Sequence, residues 1–146
     1  MEMVNSLYRD FAMVLPHPEY DLLTGEFRGG PDHSKYLGFD EGKRWDPDEA
    51  LQRAKYLHFS DWPVPKPWVE CAPQMWEEQM PKCFDRAGQQ INGTGVGLCR
   101  DRELWVGFYE DFQRRRLDVC GDGFIEKGNF ALQLAPDEEF TAESED

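Results

Sequence analysis

Positive charge is scarce in this 146-residue chain. Its 16 Lys and Arg stand against 29 Asp and Glu, a formal net charge of −13. Nucleic acid and anionic lipid both call for clustered positive charge, so neither is an expected partner. Long apolar runs are missing too: no stretch approaches the ~20 residues that span a bilayer. At the N-terminus, Glu2, Asn5 and Asp10 interrupt any signal-peptide core. As written, the chain reads as soluble and cytoplasmic, with no membrane segment. Several familiar motifs are absent: Gly-x-Gly-x-x-Gly, the P-loop, Gly-x-Ser-x-Gly and His-Glu-x-x-His. The four cysteines, Cys71, Cys83, Cys99 and Cys120, include no Cys-x-x-Cys pair. That spacing argues against a structural zinc site and leaves the disulfide state open. There is no internal repeat.

What is present is aromatic: five Trp, five Tyr and ten Phe, enough to build a core. The length suits one domain or a piece of one. With 13 Gly and 10 Pro, much of the chain is expected to be loop. The last ten residues hold six acids and no base. Residues 122–146 therefore read as an acidic, largely disordered tail behind a folded portion at 1–121. Four cysteines and the sequon Asn92-Gly93-Thr94 suit a secretory protein. Set against the missing signal, they suggest that an N-terminal part has been lost.

Periodicity predicts a short helix at 1–8 and a buried strand at Phe11–Leu15, stopped by Pro16. A loop follows, with a turn of helix at Asp21–Leu23. Asp46-Pro47-Asp48-Glu49 predicts a capped helix start running to about Lys55. Tyr56–Phe59 then reads as a strand with His58 near its C-terminal end, the place where ligands gather in open α/β sheets. A short helix is expected within 69–80, and a mobile polar loop over 85–97. Asp101 is expected to cap a helix reaching about Val119 and closed by Gly121 and Gly123. Its Leu104, Trp105, Phe108, Tyr109 and Phe112 repeat at helical spacing, a face for the core or for an interface. Arg114, Arg115 and Arg116 read as its solvated end.

The segment from Tyr56 to Trp68 carries the chemistry. His58 ends an apolar run, and Lys66 follows eight residues later, fixed between Pro65 and Pro67. An imidazole can bind a divalent metal, and an ammonium can offset charge on a phosphate. The prolines restrict the loop and reduce the entropy lost on contact. The plainer alternatives are a strand histidine satisfied by a backbone carbonyl and a surface lysine in a proline-rich turn. Trp62 and Trp68 read first as packing residues and second as stacking platforms. His17 and His33 read as surface loop residues.

His58-Phe59-Ser60 through Lys66-Pro67-Trp68 resembles the His-Phe-x-Gly…Lys-Pro-Trp signature of glycogenin-like retaining glycosyltransferases. It is closer still to fungal nucleotide-diphospho-sugar transferases of that class, including those described as N-acetylglucosaminyltransferases. Tyr20–Phe27 and Arg102–Phe112 look like that group too. The resemblance implies an α/β fold, the C-terminal part of a GT-A (Rossmann-like) domain with long loops. It implies Mn2+ held in part by His58, and a diphosphate contacted by Lys66, with Ser60 and Asp61 against the β-phosphate. The implied donor is a UDP-sugar, the implied reaction transfer to an acceptor hydroxyl with retention, and the implied address of full-length relatives the Golgi lumen. Glycine of the signature is replaced here by Ser60-Asp61-Trp62. The only Asp-x-Asp, Asp46-Pro47-Asp48, sits at a helix start rather than a strand end. Met1–Asn5 looks like the run just after an aspartate near the family's reaction centre. The expectation is therefore an incomplete transferase, weakly active or inactive. The alternatives are a non-catalytic interaction module, using the Leu104–Phe112 face and the acidic tail, and a fragment with no fold of its own.

Overall fold

The computed structural model describes residues 2–30, 33, 44–85, 87–93, 95–96 and 99–121. The proposed acidic tail and most of 31–43 lie outside these. In chain order the elements are helices α1 (Glu2–Tyr8) and α2 (His17–Tyr20), strand β1 (Leu22–Leu23), a 3₁₀ helix (Thr24–Arg28), α3 (Pro47–Arg53), β2 (Leu57–His58), α4 (Pro73–Gln79), β3 (Cys83–Phe84), β4 (Gln90–Ile91) and α5 (Arg100–Cys120). β1 and β2 pair in parallel, Leu22 opposite Leu57 and Leu23 opposite His58. β3 and β4 form an antiparallel hairpin.

α5 is the post on which the rest packs. Asp101 and Glu103 lie in its first turn, where acids favour the positive end of the helix dipole. Asp111 and Arg115 pair one turn apart at 2.6 Å. The helix stops at Gly121, whose φ of +67° suits a residue without Cβ and whose N–H returns to the Leu117 carbonyl at 2.8 Å. Arg114–Arg116 thus sit before the last turn rather than at the tip. Trp105, Val106 and Tyr109 are buried, with Leu104 and Phe108 packed beside them. Trp76 of α4 meets Trp105 at a centroid distance of 4.4 Å, and Phe27 of the 3₁₀ helix meets Phe108 edge-on at 5.0 Å. Such pairs add about 0.5–1.5 kcal/mol each to the burial of the rings. Truncating Trp105 to Ala would cost about 3–5 kcal/mol.

α3 begins as its sequence predicts. Asp46 Oδ1 accepts the Glu49 N–H at 3.0 Å, and Pro47 occupies the first helical position. The helix ends at Arg53, two residues earlier than expected. Asp48 pairs with Arg100 at 2.8 Å, which joins the starts of α3 and α5.

Several expectations fail here. Phe11–Leu15 is neither a strand nor buried: Phe11 is 86% exposed and Val14 91%. A strand needs a neighbour for its backbone groups, and among the described residues none lies alongside. Asp21–Leu23 is not helical: helix occupies His17–Tyr20 instead, and Leu22–Leu23 extend to pair with β2. Asp101 does not cap α5, because Cys99 holds the cap position. Its carboxylate instead accepts the Trp45 indole N–H at 2.6 Å, and burial pushes its pKa up. The stretch expected as a mobile loop contains β4, and a disulfide joins Cys83 to Cys99 with Cα atoms 5.5 Å apart. Buried Arg102 holds the intervening chain by donating to the carbonyls of Pro81 (2.9 Å), Gly93 (2.8 Å) and Gly95 (3.3 Å). His17 lies in α2 and His33 pairs with Glu26 against Trp45, so neither is a plain surface residue.

Candidate functional site

The parallel pairing of β1 with β2 brings the chain after β1 beside the chain after β2. Gly25 is where they come closest: a Cβ built there would stand 2.6 Å from the Ser60 carbonyl oxygen. Only glycine admits that approach. Thr24 Oγ1 accepts the Ser60 N–H at 3.0 Å and donates to the Asp61 carboxylate. Arg28 Nη1 donates to the Asp61 carbonyl at 3.0 Å.

Asp61 is the pin of the loop. Its side chain is turned inward and the residue is 4% exposed. Oδ1 accepts the Trp105 indole N–H at 2.9 Å, and Oδ2 accepts the Tyr109 hydroxyl at 2.7 Å together with the Thr24 hydroxyl. A buried carboxylate left unsatisfied is costly, and here three donors from two elements meet it. Burial, then the nearby carboxylate charge and its hydrogen bond, raises the Tyr109 pKa far above the ordinary phenol value, so the phenol keeps its proton as a donor. Further along, Gln113 of α5 donates to the Pro67 carbonyl. Two tight turns, Val64 N–H to Asp61 O and Val69 N–H to Lys66 O, both at 2.8 Å, complete the loop. The Trp62–Pro63 peptide is cis.

On the outer side of this clamped loop, His58 and Lys66 meet. His58 Nε2 lies 3.3 Å from Lys66 Nζ, and His58 Nδ1 lies 3.3 Å from Asp21 Oδ1. Lys66 also donates to the Phe59 carbonyl. His58 is exposed, Lys66 is half-buried, and Ser60 is exposed beside them. The two residues singled out from sequence are thus brought together. Asp61 is not with them: its carboxylate belongs to the interior and cannot face a phosphate from there. Trp62, read first as a packing residue, is 90% exposed.

As a metal centre the site is incomplete. Among the described residues there is no group of three or more His, Cys, Asp or Glu able to hold a metal ion. Beside Lys66 the described residues place the His58 imidazole. A divalent ion at His58 would draw its remaining ligands from a diphosphate, water or residues outside those described. Sequence reasoning missed Asp21, Thr24, Trp105 and Tyr109 as partners of this loop. The only signal near Thr24 was its place within Tyr20–Phe27. Nothing in the spacing marks Tyr109, 48 positions away, as a partner of Asp61.

The segments that converge here, 20–27, 58–68 and 102–112, are those carrying the resemblance noted above. Comparison with known proteins bears on them directly. The chain is similar over most of its length to fungal proteins named glucose N-acetyltransferase 1. It is 50% identical to the Aspergillus fumigatus protein over 121 residues, which is 82% of this chain and 29% of that one. It is 48% identical to the Gibberella zeae protein over 120 residues, 82% of this chain and 24% of that one. The Saccharomyces cerevisiae glucose N-acetyltransferase 1 is 35% identical over 121 residues, 69% of this chain and 24% of that one. The chain thus spans between about a quarter and a third of these relatives. No family profile and no solved structure matches it. Among the described residues no helix is long and apolar enough to cross a membrane.

Proposed function

We propose that this chain carries the diphosphate-facing part of a sugar-nucleotide transferase of the GT-A, glycogenin-like class. The observation that carries the reading is the meeting of His58 Nε2 and Lys66 Nζ, 3.3 Å apart, on a loop pinned from behind by Asp61. An ammonium held in place gives up little freedom when it binds an anion. Ser60 is exposed, and with its N–H taken by Thr24 Oγ1 its hydroxyl is the group left for a ligand. The parallel β1–β2 pair, with His58 at its C-terminal end, supports a Rossmann-like setting.

In this reading Lys66 neutralises the departing diphosphate, and His58 would be one of the ligands of a Mn2+ ion that would offset further charge there. Asp61 holds the loop's shape and touches no ligand. The donor is a UDP-sugar, and the resemblance to N-acetylglucosaminyltransferases makes UDP-N-acetylglucosamine the first to try. The acceptor is a hydroxyl and the transfer retains configuration. The Cys83–Cys99 disulfide supports an oxidising compartment such as the Golgi lumen for the protein at work. With one metal ligand and one phosphate contact, the chain alone binds UDP and Mn2+ weakly and transfers little sugar.

Calorimetric titration of the purified chain with UDP and Mn2+ tests this. His58→Ala and Lys66→Ala should each weaken binding by about tenfold, the loss of one charge-assisted contact. Binding unchanged in both variants would refute the site. Robust turnover of a UDP-sugar would refute the expected inactivity.

The interaction-module alternative, which used the Leu104–Phe112 face and the acidic tail, loses much of the face. Trp105 and Tyr109 are buried in this chain's own core, and Leu104, Phe108 and Phe112 are partly buried, so little of the stripe is left for a partner.

A further inference from the structure

The loop closed by the Cys83–Cys99 bridge carries a motif that the diphosphate-facing site does not use. Of the three asparagines in the chain, only Asn92 is followed two places later by a hydroxyl residue, Thr94, and the residue between them, Gly93, is not proline. That triplet is the acceptor pattern for an N-linked glycan. Such triplets are frequent by chance, so their surroundings decide. Asn92 directly follows β4, and every described residue from 87 to 96 is exposed. The disulfide belongs to a compartment that oxidises thiols, and such glycans are added in secreted proteins. Among the described residues β4 pairs with β3 alone, which leaves it an open edge that a bulky, hydrated glycan at its end would cover.

We infer that Asn92 is an N-glycosylation site, filled before this loop closes. In the transfer, Asn92 Nδ2 attacks the anomeric carbon of an oligosaccharide carried on a lipid diphosphate. The new N–C bond forms as the C–O bond to the diphosphate breaks. The lipid diphosphate leaves with the electron pair, and one amide proton passes to a base of the modifying enzyme. The site is independent of the reading of His58 and Lys66, and either can fail alone. Arg102 sets the order of events. An enzyme that takes up a short peptide relies on main-chain hydrogen bonds, for which the peptide must be free and extended. In the folded chain, buried Arg102 holds the carbonyls on both sides of Thr94: Nη1 donates to Gly93 O at 2.8 Å and to Gly95 O at 3.3 Å. Its Nε donates to Pro81 O at 2.9 Å, and the bridge fixes the loop at Cys99. The fold thus leaves Asn92 exposed but withholds the backbone around it. Modification therefore precedes the docking of Arg102 and the closing of the bridge, and the glycan then projects from the finished loop.

The test translates the whole chain behind a cleavable secretory leader in the presence of endoplasmic-reticulum microsomes. Only chains protected from added protease are read. The wild type should show a single mass shift that peptide-N-glycosidase F removes, leaving an aspartate in place of Asn92. Asn92→Gln and Thr94→Ala should each abolish the shift. Wild-type chain that has been folded and oxidised first, then presented to detergent-opened microsomes with the lipid-linked donor, should take no glycan. Reducing and unfolding that chain beforehand should restore the shift. Protease-protected wild type without a shift would overturn the site. A prefolded, oxidised chain glycosylated as fully as the nascent one would overturn the order of events. The wild-type readings decide both points whether or not the variants fold.

Discussion

Tyr109→Phe removes one oxygen atom and tests the pin that holds the candidate site. The hydroxyl donates to Asp61 Oδ2 at 2.7 Å inside the core. The ring would keep its neighbours, with centroids at 4.9 Å from Trp76, 4.9 Å from Trp105 and 5.1 Å from Phe59. The loss is therefore one hydrogen bond to a buried carboxylate, worth about 1.5–3 kcal/mol. Trp105 and Thr24 remain as donors, which places the expected cost near the middle, about 2 kcal/mol. Urea unfolding followed by tryptophan fluorescence should show a lower midpoint at unchanged slope. The same change carries a signature in pH. The native phenol holds its proton well above the ordinary value, chiefly through burial and then through Asp61, whereas the unfolded phenol releases it near the ordinary value of 10.0. Above that pH the unfolded state has fewer bound protons than the native one, so stability falls as pH rises. Below it the contribution is fully present. The wild type should lose stability above the unfolded phenol's pKa by more than Tyr109→Phe does. A variant as stable as the wild type to within about 0.5 kcal/mol, with the same alkaline slope, would refute the claim that Tyr109 pins Asp61.

Two further outcomes follow from the same geometry. Gly25→Ala should cost about 1–3 kcal/mol and weaken UDP binding, because the new Cβ meets backbone rather than a movable side chain at Ser60; thermal unfolding with a parallel UDP titration checks it, and an unperturbed variant would mean the two segments are not in contact. Cys83→Ser should destabilise by about 3 kcal/mol on a chain-entropy argument, the bridge closing a sequence separation of 16; comparing its urea midpoint with that of the reduced wild type checks it, and equal stability of the variant and the oxidised chain would count against the bridge.

Similarity to the fungal glucose N-acetyltransferase 1 proteins covers much of this chain but only a minor part of theirs. The apolar stretch from Phe11 to Leu15 is exposed in this chain.

Local chemistry was legible along the chain. The Asp46-Pro47 helix start, the α5 stripe and the closure of that helix at Gly121 all follow from contacts within a few residues, so propensity and periodicity suffice to find them. The pairing of His58 with Lys66 was legible for the same reason: eight residues and a stiff, proline-flanked turn leave few ways for the two side chains to part. The role of Asp61 was not. Its position in the loop gives it the look of a ligand-facing acid. It turns inward because Thr24, Trp105 and Tyr109, distant in sequence, place three donors where its carboxylate can be satisfied. Phe11–Leu15 fails in the opposite sense: its composition is that of a strand, but a strand exists only when another chain segment answers its hydrogen bonds. Side-chain type and short-range spacing thus named His58 and Lys66 as a pair, whereas the direction each polar group faces depended on long-range packing that decides which donors and acceptors lie within reach.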